Sequence, residues 1–141
     1  MTSAGAIRVL APAVSLALCL ACQPSAKQLV ADFSDKRAKY EELLAMIAQD
    51  PHGAVSPERQ AKYRDYLEEL GLQQLSRGTR PGEIFLSFKP RGLGSRGCAP
   101  GLTHVPEPPS PLVESIDRAD PNATTVYQHI DDGWYLFCHR S

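Results

Sequence analysis

The hydrophobic period of this chain changes once, and that change most constrains its fold. Up to Gly71 the apolar residues recur at helical spacing, in two stretches near residues 26–49 and 56–70. From Ile84 to Phe88 they alternate instead, which is typical of a half-buried strand. The pattern therefore predicts an α+β fold, in which an N-terminal helical hairpin packs on a three- to four-stranded antiparallel sheet.

Local signals predict where several of these elements begin and end. Ser25 and Gln28 have the spacing of a capping box, and Ser56-Pro57 is typical of the start of a second helix. Gly71 suits the left-handed residue that ends a helix. Asp132-Gly133 predicts a tight turn between two terminal strands near residues 124–130 and 134–138. We expect Trp134, which follows this turn, to be largely buried.

The first 21 residues have the pattern of a signal peptide. Arg8 is the only charged side chain, and residues 9–21 form an uncharged, mostly apolar run. A membrane-spanning helix needs about 20 apolar residues, whereas a shorter run after a basic residue is typical of a cleaved secretory signal. The sequence thus predicts a signal peptide over residues 1–21 and a single domain over residues 22–141.

The end of this run contains a candidate lipidation site. Leu18-Cys19-Leu20-Ala21-Cys22 resembles the bacterial lipobox, with Cys22 as the acylated first residue of the mature protein. Several acyl chains on Cys22 would anchor the domain stably in a membrane. Gln23 follows rather than Asp, which favours the outer membrane, facing the periplasm. A plain secretory signal is the alternative, and both interpretations take the chain out of the cytoplasm.

The order of these features carries a resemblance that covers most of the mature chain. A lipobox precedes two helices, a strand, a Gly-rich segment and a terminal hairpin that ends in Asp132-Gly-Trp-Tyr-Leu-Phe137. This arrangement resembles a loose group of small lipoproteins of Gram-negative bacteria. The resemblance implies a lipid-anchored envelope protein, and it implies no catalytic residues.

Two cysteines remain once Cys19 is removed with the signal and Cys22 is acylated. Cys98 and Cys138 form an even pair in an oxidising compartment, so we expect a disulfide between them. Two separate buried thiols are the alternative. The chain has no Cys-x-x-Cys pair, so the cysteines do not indicate a metal cluster or thioredoxin-like chemistry.

Residues 90–111 are rich in glycine and proline and form a long irregular loop in this interpretation, with a possible short strand over residues 98–105. Long loops in small domains are often functional, so this segment is the expected contact for a protein partner. Its candidate contact residues are Arg91, Ser95 and Arg96. Arginine and backbone N–H groups there could also bind a phosphate or an anionic glycan. A flexible hairpin loop without a ligand is the simpler interpretation.

Charge and motif content exclude several functions. Without Arg8 the chain has 14 basic and 16 acidic residues, a formal charge of about −2, so we expect no nucleic-acid partner. No catalytic motif is present, and the four histidines lack metal-site spacing, so we expect neither an enzyme nor a metal or other cofactor. His129 and His139 could face each other across the terminal hairpin, but a zinc site needs more ligands.

These observations favour a non-enzymatic envelope lipoprotein that binds another envelope or periplasmic protein. One version is an immunity or inhibitor lipoprotein that acts against a periplasmic enzyme. Another alternative is a lipoprotein that binds a small apolar or anionic ligand between its helices and its sheet.

Overall fold

The computed structural model describes residues 24–50, 57–90 and 98–140 and confirms the α+β class. The helices lie between residues 26 and 70, and the strands follow them along the chain. No helix among the described residues is long and apolar enough to cross a membrane. The elements are α1 (Ala26–Asp35), α2 (Arg37–Ala48), α3 (Pro57–Lys62), α4 (Arg64–Leu70), β1 (Leu72–Arg77), β2 (Ile84–Phe88), β3 (Ala99–His104), a 3₁₀ turn (Ile116–Arg118), β4 (Thr125–Asp131) and β5 (Trp134–His139).

The sheet has five antiparallel strands in the order β1-β2-β3-β5-β4, so the prediction of three to four strands is wrong. The strand that the sequence pattern missed is β1. A β-bulge shifts its register between Leu72 and Gln74, so Leu72 and Leu75 are both buried although three residues separate them. The bulge hides the two-residue period on which strand prediction depends.

The predicted helix starts and stops are largely confirmed. The Ser25 hydroxyl accepts from the Gln28 backbone N–H, and the Gln28 side chain accepts from the Ser25 backbone N–H, which completes the capping box. The single helix predicted near residues 26–49 is interrupted at Lys36, whose backbone (φ −108°, ψ 13°) is not helical. The second predicted helix is similarly divided at Tyr63, and Gly71 ends it with φ 69°.

Helices α2 and α4 form an antiparallel hairpin. The Lys39 ammonium, near the start of α2, lies 3.2 Å from the Glu69 carboxylate near the end of α4. At the other end of the pair, the buried Tyr63 hydroxyl donates to the Asp50 carboxylate at 3.1 Å. Contacts at both ends fix the direction of the hairpin, which agrees with the predicted arrangement.

The helices cover one face of the sheet, and Trp134 lies at the centre of this contact. The Trp134 ring centroid is 5.0 Å from that of Phe33 in α1 and 5.8 Å from that of Tyr40 in α2. Its indole N–H donates to the Glu41 carboxylate at 3.2 Å. Trp134 has no exposed surface, as the sequence predicted.

The opposite face of the sheet is buried at its central strands, where Tyr135 and Phe137 are 5% and 6% exposed. Phe85 and Phe137 meet edge to face at 5.4 Å, and a Cβ on Gly101 would lie 2.4 Å from the Phe137 ring. Glycine at this position therefore allows the Phe137 ring to lie across β3. The chain between β3 and β4 then returns along the β4 edge, where Val113 N–H donates to the Tyr127 carbonyl at 2.7 Å.

Candidate functional site

The structure brings Cys98 and Cys138 together at the base of the β2–β3 connection. Their Cα atoms are 5.5 Å apart, which is disulfide distance, and 40 residues separate them along the chain. Cys98 directly precedes β3, and Cys138 lies near the end of the neighbouring strand β5. On the other side of the connection, Lys89 N–H donates to the Gly71 carbonyl at 3.0 Å. Both ends of the connection are therefore held by the sheet and its neighbours.

Other sequence-predicted site residues lie outside the described residues. These are the proposed lipidation residue Cys22 and the proposed contact residues Arg91, Ser95 and Arg96. Within the predicted Gly/Pro-rich loop over residues 90–111, the possible short strand near residues 98–105 is confirmed: Ala99–His104 forms the central strand β3. The strand divides the predicted contact loop into a part between β2 and β3, which contains the three proposed contact residues, and a part after β3 over residues 105–111.

The strand register separates the two histidines of the terminal hairpin. His129 pairs with Tyr135, and His139 pairs with Thr125, so the two imidazoles do not face each other. The Nδ1 atom of His139 lies 2.7 Å from the Thr125 hydroxyl oxygen, within hydrogen-bond distance. His104 lies edge to face against Trp134, and burial lowers its pKa below the usual value. Across the described ranges, no group of three or more His, Cys, Asp or Glu side chains could hold a metal ion.

A cleft of about 420 Å³ opens at the end of the sheet where β1 turns into β2. Arg80-Pro81-Gly82-Glu83 forms this turn, with the Glu83 N–H donating to the Arg80 carbonyl at 3.1 Å. Gly82 at the third position supplies the positive φ (77°) that a type II turn requires, and proline is common at the second position of such turns. The turn therefore gives one wall of the cleft a fixed backbone.

A buried carboxylate holds the arginine of this turn. The Glu83 side chain is only 6% exposed, and its Oε2 accepts from Arg80 Nε at 2.9 Å. The Arg80 Nη2 atom lies 2.7 Å from the same oxygen, while 44% of the Arg80 side chain remains exposed. The pair compensates the desolvation of Glu83 and restricts the guanidinium to one edge of the cleft.

The second wall of the cleft comes from the chain that leaves β3. Val105 is buried, and its N–H donates to the Gly133 carbonyl at 2.9 Å. Pro106 follows and contacts the turn, since a Cβ on Gly82 would lie 3.2 Å from the Pro106 ring. Glu107 then lines the cleft with an exposed side chain. The two walls meet at Gly82 and Pro106.

The charges of Arg80 and Glu83 beside the cleft affect the pKa of Tyr127 on β4. Burial raises the pKa of the Tyr127 phenol, the negative charge of Glu83 raises that pKa further, and the positive charge of Arg80 opposes both effects. Tyr127 therefore lies within the electrostatic field of the Arg80–Glu83 pair.

Sequence reasoning missed this cleft. The Pro81-Gly82 dipeptide is a turn signal and could have placed the first wall. No sequence pattern brings Pro106 and Glu107 to that turn, because the contact depends on the pairing of β2 with β3. Comparisons with protein-family models, with curated proteins and with solved structures find no match to this chain.

Proposed function

We propose that this protein is a non-enzymatic lipoprotein of the cell envelope that binds another envelope or periplasmic protein. The observation that carries the proposal is the connection between β2 and β3. It contains Lys89, Arg91 and Arg96 and no acidic residue between Phe88 and Cys98. Hairpin connections usually have two to five residues, so this longer, basic one is unusual for a purely structural loop.

The fixed ends of this connection support a binding role. The Cys98–Cys138 pair fixes one end, and the hydrogen bond from Lys89 to Gly71 fixes the other. Fixed ends reduce the conformational entropy that a loop loses when it binds a partner. Electrostatic attraction from the basic residues would favour a partner with an acidic surface.

The start of α1 supports a position close to the membrane. The Ala26 N–H donates to the Asp117 carboxylate at 2.8 Å, which holds the start of α1 beside the 3₁₀ turn. Only Gln23, Pro24 and Ser25 separate Ala26 from Cys22, so an acylated Cys22 would lie within about 14 Å of the folded domain. This short tether favours a partner at the membrane surface over a distant soluble one.

The direction of α1 indicates where a lipid anchor would lie relative to the basic β2–β3 connection. From Ala26 the helix runs towards the β4–β5 hairpin, because Phe33 contacts Trp134 at the start of β5. The N-terminus of α1 therefore points away from that hairpin. The ends of the β2–β3 connection, Lys89 and Cys98, also lie at the end of the sheet opposite the hairpin. A lipid anchor and the basic connection would thus share one side of the domain.

Partner binding is tested with the charge variant Arg91→Ser/Arg96→Ser. We replace Leu93 with a photoreactive amino acid, crosslink in intact cells and identify crosslinked proteins by mass spectrometry. One partner should crosslink at near-stoichiometric yield, and the charge variant should reduce this yield at least tenfold, because it removes the basic residues that attract the partner. A periplasmic enzyme as the partner would specify an inhibitor or immunity role.

The matched control is Lys27→Ser/Arg64→Ser, which removes two exposed positive charges from the helices and leaves the connection intact. This control should retain the crosslink yield of the unsubstituted protein. An equal loss of crosslink yield in both variants would show that net charge, and not this connection, determines binding. Absence of any specific crosslink from Leu93 would contradict the proposal.

A further inference from the structure

We propose that the cleft lined by Arg80, Pro81, Val105, Pro106 and Glu107 binds a short apolar peptide that carries both a free amino and a free carboxyl terminus. This proposal is independent of the lipid anchor and of the β2–β3 connection. The volume of about 420 Å³ falls in the range of small-molecule sites, about 300–1,000 Å³.

The cleft is already formed without a ligand. Its first wall is a type II turn closed by the hydrogen bond from Glu83 to the Arg80 carbonyl. Its second wall is fixed where the Val105 N–H donates to the Gly133 carbonyl. Binding would therefore order few additional residues, which favours affinity for a small ligand.

The two walls carry opposite charges suited to the two termini of a peptide. Arg80 comes from the turn, and its guanidinium retains N–H donors beyond the two nitrogens that contact Glu83. These donors suit a carboxylate. Glu107 comes from the other wall, where its exposed carboxylate suits an ammonium group. A ligand with a single charge would match only one wall.

The surface between these charges is apolar. Pro81 and Pro106 present exposed rings without hydrogen-bonding groups, and Val105, which is only 1% exposed, supports this surface from the core side. An apolar side chain of the peptide would remove this surface from water, which is the main driving force in small-ligand sites. The chemistry therefore favours peptides of leucine-like residues over polar or highly charged ones.

Isothermal titration calorimetry of the full chain tests the proposal with three probes that share the same dipeptide core. These are leucyl-leucine, its N-acetyl derivative, which lacks the ammonium, and its C-terminal amide, which lacks the carboxylate. Leucyl-leucine should bind, and each derivative should bind at least tenfold more weakly, because each leaves one charged wall unpaired. Equal binding of a blocked derivative, or no binding of leucyl-leucine, would overturn the proposal.

A pair of variants separates the cleft from the rest of the surface. Glu107→Gln should lower the affinity for leucyl-leucine about tenfold. It should leave the affinity for the N-acetyl derivative unchanged, because that derivative has no ammonium group to pair with Glu107. Glu114→Gln removes an exposed carboxylate of the same β3–β4 connection outside the cleft and should leave all three affinities unchanged. An equal effect of both variants would overturn the assignment to Glu107.

Glu107 is exposed, so its substitution should not impair folding. The fluorescence of Trp134, the only tryptophan of the chain, reports whether each variant is folded. Arg80→Lys provides a second check on the other wall, since it keeps a positive charge near Glu83 but loses the guanidinium fork. Arg80→Lys should lower the affinities for leucyl-leucine and for the N-acetyl derivative by the same factor. Unchanged affinities would overturn the role of Arg80.

Discussion

Replacement of Trp134 by alanine is expected to lower the free energy of unfolding by about 3–5 kcal/mol. The ring is completely buried and contacts Phe33, Tyr40 and His104, with centroid distances of 5.0, 5.8 and 4.9 Å. These contacts join α1, α2 and β3 to β5, so a cavity at this position loosens both layers. Urea unfolding followed by circular dichroism gives the change without the lost fluorophore.

Two controls bracket this result. Trp134→Phe keeps an aromatic ring but removes the N–H that donates to Glu41, so it should destabilise less than alanine does. Leu112→Ala truncates an apolar side chain that is 50% exposed and should change stability by less than about 0.5 kcal/mol. A Trp134→Ala loss as small as that of Leu112→Ala would contradict the packing of the helices on the sheet.

Loss of the link between Cys98 and Cys138 is expected to lower the free energy of unfolding by about 3–4 kcal/mol in the chain-entropy model. The two cysteines are 40 residues apart in sequence, so an oxidised pair closes a long loop in the unfolded chain. Cys98→Ala/Cys138→Ala tests this without placing a serine hydroxyl at Cys138, which is only 2% exposed. Urea midpoints of the variant and of the unsubstituted protein are compared.

The reductant response provides the control for this prediction. Added reductant should lower the midpoint of the unsubstituted protein and leave that of the double variant unchanged, since the variant has no bond to reduce. Mass spectrometry of peptides that contain Cys98 and Cys138, prepared from cells without reductant, identifies the oxidation state of the two cysteines in the cell. Two alkylated free thiols there would contradict the disulfide.

The fold class was predictable because the sequence carries its signals locally. The capping box at Ser25, the left-handed Gly71 and the Asp132-Gly133 turn each depend on a few neighbouring residues, and the structure confirms all three. The fifth strand was not predictable in this way, because the bulge between Leu72 and Gln74 removes its alternation. Only pairing with β2 identifies β1 as a strand.

The candidate sites also differ in whether the sequence alone could predict them. The pairing of Cys98 with Cys138 was predicted from the cysteine number and the expected oxidising compartment, and the structure places the two at disulfide distance. The cleft depends on a contact between Gly82 and Pro106, which are far apart in sequence and meet only because β2 pairs with β3. Local sequence patterns cannot predict a contact between the β1–β2 turn and the chain that follows β3, because that contact depends on strand pairing.

The central claim is that Cys22 carries the lipid that anchors this domain. Metabolic labelling with palmitate, followed by intact mass of the membrane fraction, tests it on the unsubstituted protein and on Cys22→Ala. We expect a labelled chain whose mass corresponds to residues 22–141 plus acyl groups, and no label on the variant. An unlabelled chain, whether uncut or cut at another residue, would contradict the claim.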